Sequence, residues 1–387
     1  MTRAPSSGTA LSMEITGDLD GGNIVVREID EYEVSLAIRH DTNAEEFRQW
    51  FHFRVDGTLG ESCRFALDVS DTTYRDAFED YAVCTSYDLE TWFRTPTEFD
   101  GETLRWELQP AHGSVHFSYF APYSRQRHRE LLRQARRSPW ARVSTMGRSV
   151  QGRPMELVTI GEPEEGKRVL WVIARQHPGE TMAEWFAEGL VSRLIASDDP
   201  IATALRDVAV IHVVPTMNPD GGVLGNLRAN AAGINLNRAW LEPDARTSPE
   251  VLAVREMMER TGVDLFLDVH GDERNPFCFL AGCEGNPSYD ERLRALENDF
   301  EQALLRDNED FQDEYGYDRD EPGGGDLRTA ANWVGERFDC LSCTIEMPFK
   351  DAENHPDPER GFSPDRARRL GGSVVDAMGE VLGALRE

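Results

Sequence analysis

The chain has 387 residues, of which 40% are hydrophobic and 29% are charged, so it can form a globular protein with a large core. Its 70 acidic residues outnumber 41 basic ones, and the net charge of −29 repels nucleic acid. No stretch approaches the ~20 apolar residues of a membrane span, and residues 1–22 lack the apolar segment of a secretory signal. Six cysteines are too few for a disulfide framework. We therefore expect a cytoplasmic protein that binds neither nucleic acid nor membranes.

Residues 1–120 are predicted to form an all-β, antiparallel sandwich domain. Short segments there alternate apolar and polar residues, as strands with one buried face do. The predicted strands are 33–38, 50–55, 64–69, 104–108 and 115–120. Frequent turn signals separate them, which favours a β-sandwich.

Residues 121–387 are predicted to form a second domain, an α/β catalytic domain. Continuous apolar runs typical of buried strands alternate there with segments of helical periodicity. The predicted strands are 168–174, 208–215, 263–269 and 341–347, after a hairpin at 146–160. The predicted helices are 124–136, 181–196, 249–260, 289–306 and 364–385. This alternation predicts a mixed, mostly parallel sheet covered by helices on both faces.

His177, Glu180 and His270 form a candidate metal site. His177 and Glu180 are three residues apart, between a predicted strand and a predicted helix, and His270 ends another predicted strand. Ligands bind at the carboxyl ends of strands in open α/β sheets. Two histidines and one glutamate are a typical ligand set of catalytic zinc, with one position left open.

Four further residues suit the chemistry of such a site. Glu346 is an acid inside an otherwise apolar strand, where a carboxylate is costly unless it has a function. Near a metal it can act as general acid and base. Arg228 can stabilise an oxyanion. The pair Asn237 and Arg238 suits the recognition of a carboxylate by hydrogen bonds.

Five motifs follow one another along the chain. They are His-Pro-Gly-Glu at 177–180, Arg228, Asn-Leu-Asn-Arg at 235–238, Asp-Val-His-Gly-Asp at 268–272 and Thr-Ile-Glu-Met-Pro-Phe at 344–349. In this order they resemble the zinc metallocarboxypeptidases. Segments 50–55 and 119–123 are similar to the β-sandwich module of the cytosolic branch and its junction, so the resemblance covers nearly the whole chain.

The resemblance implies hydrolysis of the C-terminal peptide bond of a peptide or protein tail, with one zinc ion per chain. It implies that the zinc ligands are His177, Glu180 and His270, that Arg228 polarises the scissile carbonyl, that Asn237 and Arg238 bind the terminal carboxylate, and that Glu346 is the catalytic base and acid. The family often has aspartate at the position of Asn235, where it supports the first zinc histidine. A neutral amide should raise the basicity of that histidine less.

Substrate preference is the second point where the chain departs from the family pattern. Secreted members carry a tyrosine that covers the substrate roughly twenty residues before the catalytic glutamate, but segment 323–328 contains none. Tyr315 and Tyr317 are the nearest, and neither is assigned this role. Arg328 lies in the same segment and would favour an acidic C-terminal residue, whereas the negative charge of the chain argues mildly against it.

Two other functions remain open from the sequence. One is a zinc amidohydrolase of small N-acyl amino acids, which shares the His-x-x-Glu motif and a later histidine. The long N-terminal domain argues against it. The other is a zinc-binding or protein-binding module without catalysis, and the presence of Glu346 beside a full ligand set argues against that. The sequence carries no signal for an oligomeric state.

Overall fold

The computed structural model describes residues 13–386. The N-terminal part contains ten strands and a 3₁₀ turn at Arg75–Phe78. The strands are β1 (Glu14–Thr16), β2 (Val25–Asp30), β3 (Glu33–Ala37), β4 (His52–Asp56), β5 (Cys63–Asp68), β6 (Val83–Ser86), β7 (Trp92–Thr95), β8 (Thr97–Phe99), β9 (Thr103–Leu108) and β10 (Ser114–Ser118).

These strands form two five-stranded sheets, with the orders β1-β4-β10-β6-β7 and β2-β3-β5-β9-β8. The expected all-β architecture is confirmed, and its pairs are antiparallel apart from the parallel pair β3–β5. Inward-facing aromatic rings from both sheets fill the space between them. Phe53 of one sheet lies 6.5 Å from Phe65 of the other, ring centroid to ring centroid, and both side chains are fully buried. Contacts of this kind account for the alternation of apolar residues in the sequence.

The C-terminal part begins with α1 (Arg125–Arg137) and contains seven strands and eight helices within the described residues. The strands are β11 (Ala141–Arg148), β12 (Pro154–Ile160), β13 (Arg168–Ala174), β14 (Ala209–Val214), β15 (Leu265–Val269), β16 (Phe279–Ala281) and β17 (Leu341–Glu346). The other helices are α2 (Met182–Leu194), α3 (Pro200–Val208), α4 (Pro219–Leu224), α5 (Pro249–Thr261), α6 (Glu291–Asp307), α7 (Ala330–Phe338) and α8 (Pro364–Val381).

The seven strands form one mixed sheet in the order β11-β12-β14-β13-β15-β17-β16. The four central strands are parallel, and the outer pairs are antiparallel. Helices cover both faces. Leu265 and Leu267 of β15 pack in the core shared with α2, α6 and α8, whereas Phe266 between them packs with α5 and α7. The expected architecture is therefore confirmed. None of the helices in the described residues combines the length and hydropathy that a bilayer span requires.

Helices α2 and α8 cross so closely that the contact requires glycine. A Cβ on Gly371 of α8 would lie 2.8 Å from the carbonyl carbon of Phe186 and 3.1 Å from the backbone nitrogen of Leu190. Backbone atoms cannot rotate away from such an overlap as a side chain can.

We expect Gly371→Ala to lower the free energy of unfolding by about 1–3 kcal/mol, because the two helices must separate to admit the methyl group. Gly372→Ala is the matched control, since the nearest heavy atom to its new Cβ is 3.9 Å away. This control should be neutral or stabilising by up to about 1 kcal/mol, because alanine favours helix over glycine. Urea unfolding of both variants measures the difference. Equal effects would contradict the close crossing.

Candidate active site

The site lies where three neighbouring parallel strands end. Strands β13, β15 and β17 are adjacent in the sheet and run in the same direction. His177 follows β13, His270 follows β15, and Glu346 is the last residue of β17. Segments that are up to 169 residues apart in the chain (177 to 346) therefore meet at one edge of the sheet.

His177, Glu180 and His270 are brought together as the sequence predicts. The described residues contain this one group of His, Cys, Asp and Glu side chains that could hold a metal ion, with ligand atoms within 4.8 Å of one another. The Nδ1 atom of His177 lies 2.6 Å from Glu180 Oε1, and that of His270 lies 2.8 Å from Glu180 Oε2. Zinc bonds of ordinary length separate neighbouring ligand atoms by about 3 Å. The three side chains are therefore spaced as a zinc site requires.

The outer nitrogen of each histidine faces a side-chain oxygen. His177 Nε2 lies 3.0 Å from Asn235 Oδ1, and His270 Nε2 lies 2.8 Å from Asp268 Oδ2. Asp268 is fully buried and also accepts a hydrogen bond from Gln176. An oxygen on the outer nitrogen fixes the proton there and leaves Nδ1 free as a metal ligand. Both rings are therefore oriented for metal binding.

The charges at this cluster also suit a cation. Burial lowers the pKa of His177 to about 4, so its ring is neutral and available as a ligand at neutral pH. Burial opposes protonation of His270 as well, but the carboxylates of Asp268 and Glu180 outweigh it and raise the pKa of this histidine well above its usual value. Two buried carboxylates thus favour a positive charge at this position, which a divalent metal can supply.

Arg228 reaches the cluster from the loop after α4. Its side chain is mostly buried, and its Nη1 lies 3.9 Å from Glu180 Oε1. The guanidinium carbon lies 5.6 Å from the ring centroid of Tyr74, which precedes the 3₁₀ turn Arg75–Phe78 of the N-terminal part. A cation held against an aromatic face keeps its charge while its edges stay available to another ligand.

Asn237 and Arg238 line the same cleft, on the 3₁₀ turn Leu236–Arg238. Asn237 Oδ1 accepts a hydrogen bond from the backbone N–H of Ala330, which turns the amide nitrogen toward His270 at 3.4 Å from Nε2. The Arg238 side chain is exposed at the mouth of the cleft. The cleft lining thus contains an amide N–H beside the metal cluster and, in the next residue, an exposed guanidinium, both of which suit a carboxylate.

Glu346 lies in the cleft with 6% of its surface exposed. Its Oε1 lies 3.1 Å from the hydroxyl of Tyr317, and its Oε2 has no hydrogen-bond partner among residues 13–386. Burial raises the pKa of Glu346 well above its usual value, against the positive charge of His270. A carboxyl group that binds a proton more readily is suited to both accepting and donating one.

Tyr317 is a site residue that the sequence did not assign. Its hydroxyl also lies 2.6 Å from Asp272 Oδ2, so it joins the segment after β15 to the end of β17. Its ring meets that of Phe279 edge-on at 5.0 Å between centroids. The residue belongs to a long polar loop without helical or strand periodicity, so no sequence pattern indicates where the loop runs.

Arg328 does not take the position that the sequence suggests. Its guanidinium makes two hydrogen bonds to the carboxylate of Asp326, at 2.8 and 2.9 Å, and is largely exposed. It lies outside the set of described residues that line the cleft. Because a neighbour two residues away satisfies this charge locally, Arg328 offers no support for a preference for acidic substrates.

The cleft around these residues has a volume of about 600 Å³. Its walls are mainly polar, and carboxylates outnumber cations along them. The acidic residues beyond the metal cluster and Glu346 are Asp272, Glu273, Glu284, Glu297, Glu301, Asp313, Glu314, Asp318 and Asp320. Four arginines line the same surface: Arg228, Arg238, Arg274 and Arg319.

The comparisons with known proteins agree with this geometry. The family model for the cytosolic carboxypeptidase N-terminal domain matches residues 15–120, and that for zinc carboxypeptidases matches residues 130–368. Human cytosolic carboxypeptidase 6 is 29% identical over 368 residues, covering 85% of this chain and 70% of the human protein. A solved metallo-carboxypeptidase from Pseudomonas aeruginosa is 46% identical with a TM-score of 0.93, covering 96% of this chain and 100% of the other. One from Burkholderia cenocepacia is 44% identical with a TM-score of 0.92, covering 95% and 98%.

Fold and site together define a metal-dependent hydrolase. The chain belongs to the zinc carboxypeptidase family, with the N-terminal domain of the cytosolic branch. It is a zinc metallocarboxypeptidase that acts on peptides or proteins and uses one zinc ion, and the described His-Glu-His group suits that ion. The expectations of family, enzyme class and cofactor are confirmed.

The contact between Asn235 and His177 generates a prediction on metal affinity. Asn235→Asp should tighten zinc binding about tenfold, because a carboxylate on Nε2 raises the basicity of Nδ1 more than an amide does. Competition for zinc with a chelator of known affinity measures the change without an activity assay. Asn235→Ala is the control and should weaken binding. Unchanged affinity in both variants would show that this contact does not support the metal site.

Proposed function

We propose that Glu346 transfers the protons of peptide hydrolysis in this enzyme. Zinc, when bound, supplies Lewis-acid chemistry that polarises a carbonyl and activates water. Glu346 takes a proton from the attacking water and delivers it to the leaving amine. Its raised pKa, its place in the cleft lining and its Oε2, which has no hydrogen-bond partner among the described residues, support this role.

We assign the remaining side chains by what each can hold. Arg228 stabilises the negative charge that develops on the scissile carbonyl oxygen, since its guanidinium lies 3.9 Å from Glu180 and makes no side-chain hydrogen bond within the described residues. Asn237 and Arg238 bind the terminal carboxylate of the substrate and thereby place its last peptide bond over the cluster. His177, Glu180 and His270 hold the metal. The observation that carries the assignment is the meeting of these segments in one cleft.

We further propose a domain boundary near residue 120, between β10 and α1, since the sheets on its two sides share no strand. The substrate is a C-terminal tail of a peptide or protein. The names of the cytosolic relatives support a cytoplasmic location. The family assignment and the N-terminal domain favour this reaction over the deacylation of N-acyl amino acids.

Glu346→Gln should lower kcat by about 100-fold or more on a blocked dipeptide, because the amide can neither accept the proton of water nor return it. Zinc content measured by mass spectrometry should stay at the wild-type level, since Glu346 is not assigned to the metal. Unchanged turnover in this variant would instead favour a binding module without catalysis.

The charge of the cleft favours a basic C-terminal residue over the acidic one that Arg328 suggested. Glu284, which follows β16, and Glu297 of α6 line one wall of the cleft. Arg319 lies 3.9 Å from Glu284. Burial and then the negative charge of Glu284 raise the pKa of Glu297 to about 7, so carboxylates crowd this wall. A cationic side chain would relieve that repulsion, and an anionic one would add to it.

One solved relative supports the same preference. The Pseudomonas aeruginosa structure is described as a complex with (2-guanidinoethylmercapto)succinic acid. That compound combines a guanidinium group with two carboxylates, and a C-terminal arginine likewise carries a guanidinium group and one terminal carboxylate. We therefore propose that this enzyme removes C-terminal arginine or lysine.

Peptides that differ only in a final Lys, Glu or Phe should be cleaved with the highest kcat/KM for Lys. The double variant Glu284→Gln, Glu297→Gln should reduce the Lys-to-Phe ratio about tenfold, because two charges are lost from the wall. Glu291→Gln on the same helix as Glu297 is the matched control, since its side chain is 83% exposed and lies outside the cleft lining. A wild-type preference for Glu would overturn this proposal and restore the acidic one.

A further inference from the structure

We propose that Asp41, in the loop between β3 and β4 of the N-terminal domain, is a positioning residue for hydrolysis, which acts through Arg228. This inference rests on the proposed function, because it depends on the role of Arg228 at the scissile carbonyl. It assigns a part of the active-site machinery to the N-terminal domain, in addition to any effect of that domain on access to the cleft.

The Asp41 carboxylate binds the backbone of the segment that carries Arg228. Its Oδ1 accepts the N–H of Leu227 at 2.6 Å, and its Oδ2 accepts those of Arg228 and Ala229 at 2.7 and 2.8 Å. Asp41 is 4% exposed. Three consecutive backbone N–H groups directed at one buried carboxylate form an anion nest, which fixes the dihedral angles of the residues that supply it.

The side chain of Arg228 is left free by this arrangement. Both oxygens of Asp41 accept hydrogen bonds from backbone N–H groups, and within the described residues the Arg228 guanidinium donates none to this carboxylate. The guanidinium instead points toward Glu180, with the Tyr74 ring beside it. Two loops of the N-terminal domain thus contact Arg228, by a carboxylate on its backbone and by an aromatic face on its side chain.

Neighbours of Asp41 bind the same segment on either side of Arg228. The backbone N–H of Thr42 donates to Asn226 Oδ1 at 3.0 Å, and Asn43 Nδ2 donates to the carbonyl of Ala231 at 2.9 Å. These two contacts join the domains but do not touch the N–H groups next to Arg228. Removing one of these contacts therefore weakens the attachment of the segment without removing a hydrogen bond at Arg228.

The other end of the segment reaches the metal cluster. Ala229 forms a β-bridge with Asn235, whose side chain faces His177. The backbone from Leu227 to Asn235 is therefore fixed at one end by Asp41 and at the other by a residue that supports a metal ligand. Asp41 contacts Arg228 directly but reaches His177 only through Asn235. A displacement at Asp41 should therefore shift the guanidinium of Arg228 more than the imidazole of His177.

The test is a double-mutant cycle on the full chain with zinc bound. Asp41→Asn keeps the shape of the side chain but turns an NH₂ group toward the backbone donors. We expect kcat to fall about 10- to 100-fold. This loss is smaller than the loss expected when an oxyanion donor is removed completely. KM for a blocked dipeptide should change less than about threefold, and zinc content should not change.

In the Arg228→Ala background the same substitution should have little further effect on kcat, because its effect passes through the arginine. Asn43→Ala, which removes a contact at the same interface, should lower the melting temperature and leave kcat within about twofold. Multiplicative losses in the cycle, or an unchanged kcat in Asp41→Asn, would overturn the proposal.

Effects on folding and on catalysis are measured separately. Circular dichroism and the melting temperature report whether Asp41→Asn folds, and Asp41→Ser, which keeps one acceptor, is the second variant. If neither folds, Asp41 is a folding determinant and the positioning role is rejected. An inactive wild-type enzyme would refute the proposed function itself, whereas an active one with a multiplicative cycle would refute only the role of Asp41.

Discussion

The parallel register of β13, β15 and β17 is the constraint on which the site depends. Ala174 pairs with Val269, and Val269 pairs with Ile345, so the three strands end at one level of the sheet. The residues that follow them then emerge side by side, as ligand-binding residues do in open α/β sheets. Packed cores on both faces hold this register, because slipping one strand by a residue would exchange its side chains between two closely packed cores that they do not fit.

Buried carboxylates collect at this edge of the sheet. Glu180, Asp268 and Glu346 are each at least 94% buried, and burial of a carboxylate is unfavourable unless a cation or hydrogen bonds compensate. A zinc ion compensates the first directly and the second through His270. Arg228 adds a further positive charge from a loop whose backbone donates hydrogen bonds to Asp41 of the N-terminal domain. The N-terminal and catalytic parts of the chain therefore interact at the active site, where Asp41 and Tyr74 contact the catalytic part.

Sequence patterns predict the long elements and the metal cluster because both follow from local rules. Continuous apolar runs define the central strands. His270 directly follows such a run and His177 follows another after two residues, so both lie near strand ends. Short elements such as α4, α7 and β16 carry too few residues to show a period. Tyr317 and Asp41 reach the site only through tertiary contacts, which composition and spacing do not encode. Arg328 has the charge and the position along the chain that would suit recognition of an acidic residue, but its guanidinium is bound to the neighbouring Asp326.

Anomalous diffraction from crystals grown with zinc tests the central claim most directly. Data collected on both sides of the zinc absorption edge should show one strong peak per chain, within bonding distance of His177 Nδ1, His270 Nδ1 and the Glu180 carboxylate. Glu346 and Arg228 should face that peak without binding it. A zinc peak elsewhere, or imidazoles too far apart to share one ion, would contradict the account of the active site.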